Sequence, residues 1–210
     1  MSFSGRMREA TGPVWDAAVG HRFVDGLWSG ELDRDVLTRY LAQDHQFVDA
    51  FLALLGAAVA GTDRPAARVR LARQLGLVAG PENDFFDRSL ATLDAADGPV
   101  TPLAPTTAFV ELMHDAAAAG YADALAVLVV AEWLYLDWAS RPDTELPDDP
   151  VHAEWIELHR GPEFEAWVAF LRDELDRAAD GLDGVRADEV AARFARAVDL
   201  ELAFFDAAFG

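Results

Sequence analysis

Three carboxylic acids of this chain stand at helical positions where a stripe of apolar side chains would otherwise run unbroken. Leu37, Tyr40, Leu41, Phe47, Val48, Phe51 and Leu55 recur at the spacing of one helix face, and Asp44 falls among them. Glu132 interrupts Leu125, Leu128, Val129, Tyr135 and Leu136 in the same way, and Glu201 interrupts Phe194, Val198 and Phe205. Burying a carboxylate costs about 1 to 3 kcal/mol even with partial hydrogen bonding. Each acid therefore needs a proton, an arginine partner or a ligand. Meeting in one pocket, the three would suit a flat, cationic or donor-rich ligand, and their repulsion would lift at least one pKa toward neutrality. The competing reading for any one of them is an ion pair with a nearby arginine or a place at the rim.

Other residue types narrow the chemistry. The chain has no cysteine, which rules out a disulfide, a thiolate metal site and a thiol nucleophile. Its histidines are His21, His45, His114, His152 and His159, and none shows the HxxxH or ExxH spacing of a strong metal motif. Phe47, Trp133, Tyr135, Trp138 and Phe205 lie near the acids in sequence; as a set they read as core, with one or two able to stack on a heteroaromatic ring.

The elements that must position these groups are helices. Ala is abundant, β-branched runs are scarce, and 52% of the 210 residues are hydrophobic, enough for one sizeable core and one domain, residues 1–210. The spacing predicts a helix over Arg6 to Val19, interrupted near Gly12 and Pro13, then a turn at His21, Arg22 and Phe23. Asp33 is the expected N-cap of one long helix from Asp35 to Ala60. Pro65 to Ala79 and Pro81 to Leu93 follow, each opened by its proline. A loop with Gly98, Pro99, Pro102 and Pro105 leads to helices at Thr106 to Ala119 and Tyr121 to Ser140. After a surface loop from Pro142 to Pro150, helices are expected at His152 to Leu158, Pro162 to Ala179 and Asp188 to Ala208. The result is an all-α, multi-helix bundle.

The formal charge is −20, and all 17 basic residues are Arg. This balance repels nucleic acid phosphates and anionic lipid heads, so neither is an expected partner. Such acidity without Lys fits either a salt-loving organism or a GC-rich genome. The longest apolar run, Ala122 to Ala131, is too short to span a bilayer and is bracketed by Asp123 and Glu132. No export signal is evident at the start, and a cytoplasmic location is expected.

Several segments together resemble the TenA, or thiaminase II, family. They are His21 to Gly26, Gly30-Glu31-Leu32, Tyr40-Leu41-Ala42-Gln43-Asp44, Glu132-Trp133-Leu134-Tyr135, and Asp199-Leu200-Glu201 followed by Phe204-Phe205. The resemblance implies a haem-oxygenase-like helical bundle, assembled as a homo-oligomer (tetramer or dimer). The ligand it implies is a 4-amino-2-methylpyrimidine with a C5 substituent, with no cofactor, and the product 4-amino-5-hydroxymethyl-2-methylpyrimidine. It further implies that Asp44 binds the aminopyrimidine and that Glu201 moves protons at the reacting carbon. Where thiaminase-type members carry a cysteine this chain has Ala131, and three assisting tyrosines correspond to Phe47, Phe109 and His159. With Glu132 beside the vacant position, the chain resembles the family's cysteine-lacking branch. That branch consists of salvage hydrolases acting on aminomethyl-pyrimidine or its N-formyl derivative. The expected site is thus Glu201 and Glu132 as catalytic pair, held apart in protonation by mutual repulsion, with Asp44, Phe47, Tyr135, Phe109 and His159 around the substrate. Two rivals use the same scaffold. One is a di-iron oxygenase ligated by Asp44, Glu132, Glu201 and some of His45, His159 and Asp137; the other is a non-catalytic pyrimidine-binding protein. Haem held by His21 ranks below both.

Overall fold

The structure, a computed structural model, describes residues 1–95, 99–142 and 144–210; the loop glycine Gly98 lies outside them. The helices in chain order are α1 (Phe3–Ala10), α2 (Gly12–Val19), α3 (Arg22–Ser29), α4 (Arg34–Asp44), α5 (Phe47–Gly61) and α6 (Pro65–Leu77). A π-helical turn (Val78–Glu82) joins α6 to α7 (Asn83–Thr92). There follow α8 (Ala104–Ala119), α9 (Tyr121–Ala139), α10 (Pro150–Leu158), α11 (Pro162–Ala179) and α12 (Gly184–Ala207). No strand occurs among the described residues, and no helix there is long and apolar enough to cross a membrane.

Helix α9 is the axis of the fold. Every residue from Ala124 to Val130 is buried and apolar, so this segment is apolar on all sides as a central helix must be. It packs against α5, α8, α11, α12 and the short α2. One continuous hydrophobic cluster runs from Phe3 to Ala208.

Side-chain caps start five of the twelve α-helices among the described residues. Asp33 accepts from the Asp35 amide at 2.8 Å, Asp149 from Val151 and His152, and Asp183 from Arg186. His21 does the same rather than merely turning the chain: its Nδ1 accepts from the Phe23 amide at 3.1 Å and α3 begins at once. Gly30 ends that helix at φ +70°, a conformation costly for any residue with a Cβ. Pro105 lies in the first turn of α8 rather than in the preceding loop.

Two departures from the expected boundaries shape the site. The single helix expected from Asp35 to Ala60 is two, parted at His45 and Gln46. The amides of Gln46 and Val48 there reach back only three residues, to Gln43 and His45. The Gln43 side chain ties this break to the start of α8, receiving the Leu103 amide at 2.8 Å and the Thr106 hydroxyl at 2.7 Å and donating to the Thr101 carbonyl at 3.0 Å. Pro81 does not open a helix. It sits inside the π turn, where the wider ladder tolerates its missing N–H and carries α6 into α7 without a loop.

Two acids outside the expected site are also buried, and both are paired. Asp123, at the start of α9, meets Arg186 at 2.6 Å and Arg193 at 2.9 Å, both on α12. Glu174 meets Arg64 and Arg177 and accepts from the Tyr121 hydroxyl at 2.8 Å. Replacing Arg186 and Arg193 together by Ala strands the Asp123 charge in the core. Urea denaturation at neutral pH is expected to show a loss of about 3 kcal/mol or more.

Candidate active site

The break between α4 and α5, the π turn and the middle of α9 all face one cavity of about 580 Å³, counting its mouth. Asp44, the last residue of α4, enters from one side with Phe47 and Phe51 of α5. Glu82 comes from the π turn, Phe109 and Met113 from α8, Ala131, Glu132 and Tyr135 from α9, and Glu201 from α12. Trp155 of α10 and His159, just beyond it, complete the wall. All seven expected site residues, Asp44, Phe47, Phe109, Glu132, Tyr135, His159 and Glu201, thus line a single space. Of the other aromatics expected nearby, Trp133 packs on Trp15 and Arg172, Trp138 lies in the core, and Phe205 stacks on Phe23.

No arginine lines the cavity, and the chain has no lysine. Asp44, Glu132 and Glu201 are each buried to nine-tenths or more, and Oδ2 of Asp44 has no hydrogen-bond partner. Their protonation follows from that isolation. Burial, reinforced by the charge of Glu82, pushes Glu132 up to about 8, slightly offset by the Trp167 indole. Asp44 is raised well above the usual carboxylate range by burial and by Glu82, with partial relief from the Tyr40 hydroxyl. Glu201 is raised by burial and then by Asp44.

The repulsion is therefore arranged differently from expectation. Glu201 is opposed by Asp44, and Glu132 by Glu82. Glu82 itself is pushed up to about 7 by burial. Sequence reasoning missed it because the Gly80-Pro81 pair was read as an interruption between helices. The signal was present, since Val78, Glu82 and Phe86 stand four residues apart and all three reach the cavity.

The neutral groups are placed to accept and donate. His159 Nδ1 lies 2.8 Å from the Trp155 carbonyl, which can only accept, so Nδ1 carries the proton and Nε2 keeps its lone pair. Burial pushes this imidazole down to about 4, so it is uncharged at neutral pH. The hydroxyls of Tyr40 and Tyr135 are 2.7 Å apart, and burial holds both phenols well above their ordinary value.

The ligand sets of the rival readings do not assemble. Among the described residues no three His, Asp or Glu side chains come together at metal-binding separation. Asp137 accepts from the Trp15 indole at 2.9 Å, and His45 faces Asn83 and stacks on Phe86. His21 has one ring nitrogen on the Phe23 amide and the other 3.2 Å from Asp206.

The TENA/THI-4/PQQC family model matches residues 8–210. The chain belongs to this family. A relative from Halalkalibacterium halodurans named aminopyrimidine aminohydrolase is 24% identical, the match covering 100% of this chain and 96% of the relative. A TenA homologue from P. horikoshii OT3 superposes with a TM-score of 0.87 at 20% identity, over 100% of this chain and 99% of that one. A domain of unknown function with a heme oxygenase-like fold, from Shewanella denitrificans, superposes with a TM-score of 0.68 at 14% identity, over 98% and 91%. The bundle is thus of the haem-oxygenase-like kind. In this member of the TENA/THI-4/PQQC family, Ala131 puts only a methyl group on the cavity wall at the place expected of a cysteine.

The Glu132 shift has a direct consequence for stability. As pH rises, the unfolded chain gives up this proton near 4.5 while the folded chain holds it to about 8. Its contribution is therefore fully present below pH 4.5 and lost as pH climbs through 8. Glu132→Gln should melt with the wild type at the acid end but several degrees above it, on the order of 5 °C, beyond pH 8. Calorimetric scans across that range check the difference.

Proposed function

We propose that this chain is a pyrimidine salvage hydrolase. In this reading it releases 4-amino-5-hydroxymethyl-2-methylpyrimidine from the 5-aminomethyl compound or its N-formyl derivative, without a cysteine nucleophile. The observation that carries the reading is the convergence of Asp44, Glu132 and Glu201, from three separate helices, on one cavity to which no arginine or lysine contributes. The relative named aminopyrimidine aminohydrolase supports the substrate class. The aromatic and aliphatic wall suits a small flat ring.

In this mechanism Asp44 accepts hydrogen bonds from a protonated ring nitrogen and the exocyclic amine, which satisfies its free Oδ2 and fixes the ring against Phe47. Once those donors neutralise Asp44, Glu201 loses the charge that opposes it, and hydrogen bonds from the attacking water offset its burial, the larger cause of its raised pKa, so that it ionises; Glu132 at about 8 keeps its proton at neutral pH. Glu132 gives that proton to a departing nitrogen that arrives uncharged, as in the formyl derivative, as the C–N bond breaks and the bonding pair leaves with nitrogen; a substituent bound as its ammonium already carries the proton and leaves as ammonia. Glu201 takes a proton from the water that supplies the new hydroxyl. His159, uncharged, offers Nε2 as an acceptor to water or substrate.

Glu132→Gln and Glu201→Gln conserve volume, so the protein should stay folded while Glu201→Gln lowers kcat about 100-fold or more on either substrate and Glu132→Gln does so on the formyl derivative. Asp44→Asn, which cannot accept both donors, should weaken binding about tenfold or more. Release of the hydroxymethyl product from the amine and its formyl derivative, followed by chromatography, tests all three. Wild-type rates in both glutamine variants would end the two-carboxylate mechanism.

A further inference from the structure

Glu82 is the one carboxylate of the cavity for which the mechanism above has no use. Its backbone is held by the π turn, in line with Val78 and Phe86, so it is delivered to the cavity wall by the same irregularity that accommodates Pro81. It forms no ion pair or hydrogen bond among the described residues, and the arginines near buried acids are engaged elsewhere, with Asp123 and Glu174. A second buried acid of the same wall, Asp44, also turns an unpartnered oxygen inward.

The fields of these groups divide the cavity. Glu201, Tyr40 and Tyr135 all feel Asp44, whereas Glu132 feels Glu82. Asp44 feels Glu82 as well. With a ring nitrogen and the exocyclic amine taken by Asp44, the nitrogen of the C5 substituent is the cationic group left for Glu132 and Glu82 of the same wall. There two acids stand within each other's field with no cation from the protein, so the missing positive charge must arrive with the ligand.

We propose that Glu82 is a specificity-determining residue: its carboxylate receives the positively charged nitrogen of the ligand's C5 substituent, favouring a free aminomethyl group over an uncharged acylated one. The assignment rests on the salvage-hydrolase reading, and it makes Glu82 a binding group rather than a proton carrier. An interaction made with the bound substrate, and weakened as the bonding pair moves to nitrogen, acts on KM.

The test compares kcat and KM for 4-amino-5-aminomethyl-2-methylpyrimidine and its N-formyl derivative in the wild type and in Glu82→Gln. The ratio of KM values, amine over formyl compound, should rise about tenfold or more in the variant. A ratio that holds within about twofold, whether because neither substrate or both are affected, overturns the assignment and leaves the hydrolase reading standing. A wild-type enzyme that neither binds nor turns over either compound overturns the hydrolase reading itself. Should Gln at this position not fold, Glu82→Met, similar in length and apolar, carries the same comparison.

Discussion

Desolvated carboxylates without counter-ions are the constraint around which this protein is organised. Each of Asp44, Glu132 and Glu201 has lost most of its water, and no arginine or lysine replaces it. Elsewhere in the same core the opposite rule holds, because Asp123 and Glu174 each meet two guanidinium groups. The chain is therefore capable of pairing buried acids and leaves them unpaired at one place only among the described residues. That local instability has to be offset by the apolar core, centred on α9 and continuous from Phe3 to Ala208. What is lost in folding energy is available as affinity for a ligand that brings positive charge.

Delivery of the acids depends on two irregular backbone segments. Between α4 and α5 the chain keeps right-handed helical dihedrals at His45 and Gln46 but shortens its hydrogen bonds, so Asp44 and Phe47 still face the same way. The triple engagement of Gln43 with the start of α8 holds that break. On the other side of the cavity the π turn absorbs Pro81 and brings Glu82 into line with Val78 and Phe86. Neither segment is stabilised by its own hydrogen-bond ladder alone; both rest on neighbours.

The remainder of the wall sharpens the electrostatics. Phe47 and Phe109, which pack edge to face at 5.4 Å, add no polar atom that could solvate a carboxylate. Ala131 likewise offers only a methyl group. Outside, a formal charge of −20 gives the molecule a field that attracts cations and repels anions. Interior and exterior thus select the same sign of ligand, the exterior at long range and the cavity at contact.

Much of this was legible in the chain itself. The acids of α4, α9 and α12 break apolar stripes, and that pattern reports burial because helical periodicity and side-chain polarity are local properties. The Asp44 stripe remained valid across an unforeseen break because the dihedrals there stay helical. The caps at Asp33 and Asp149, and Pro162–Ala179 as a helix, follow from equally local rules. Periodicity could not separate an acid with an arginine partner from one without, nor reveal Glu82, since both depend on which helices become neighbours. Whether a buried carboxylate is a structural ion pair or an open claim on a ligand is set by distances between residues remote in sequence, here Asp123 to Arg186 and Arg193 in one case and an arginine-free cavity in the other. Only the tertiary structure decides that, because Coulomb energy and desolvation are functions of position in space and not of order along the chain.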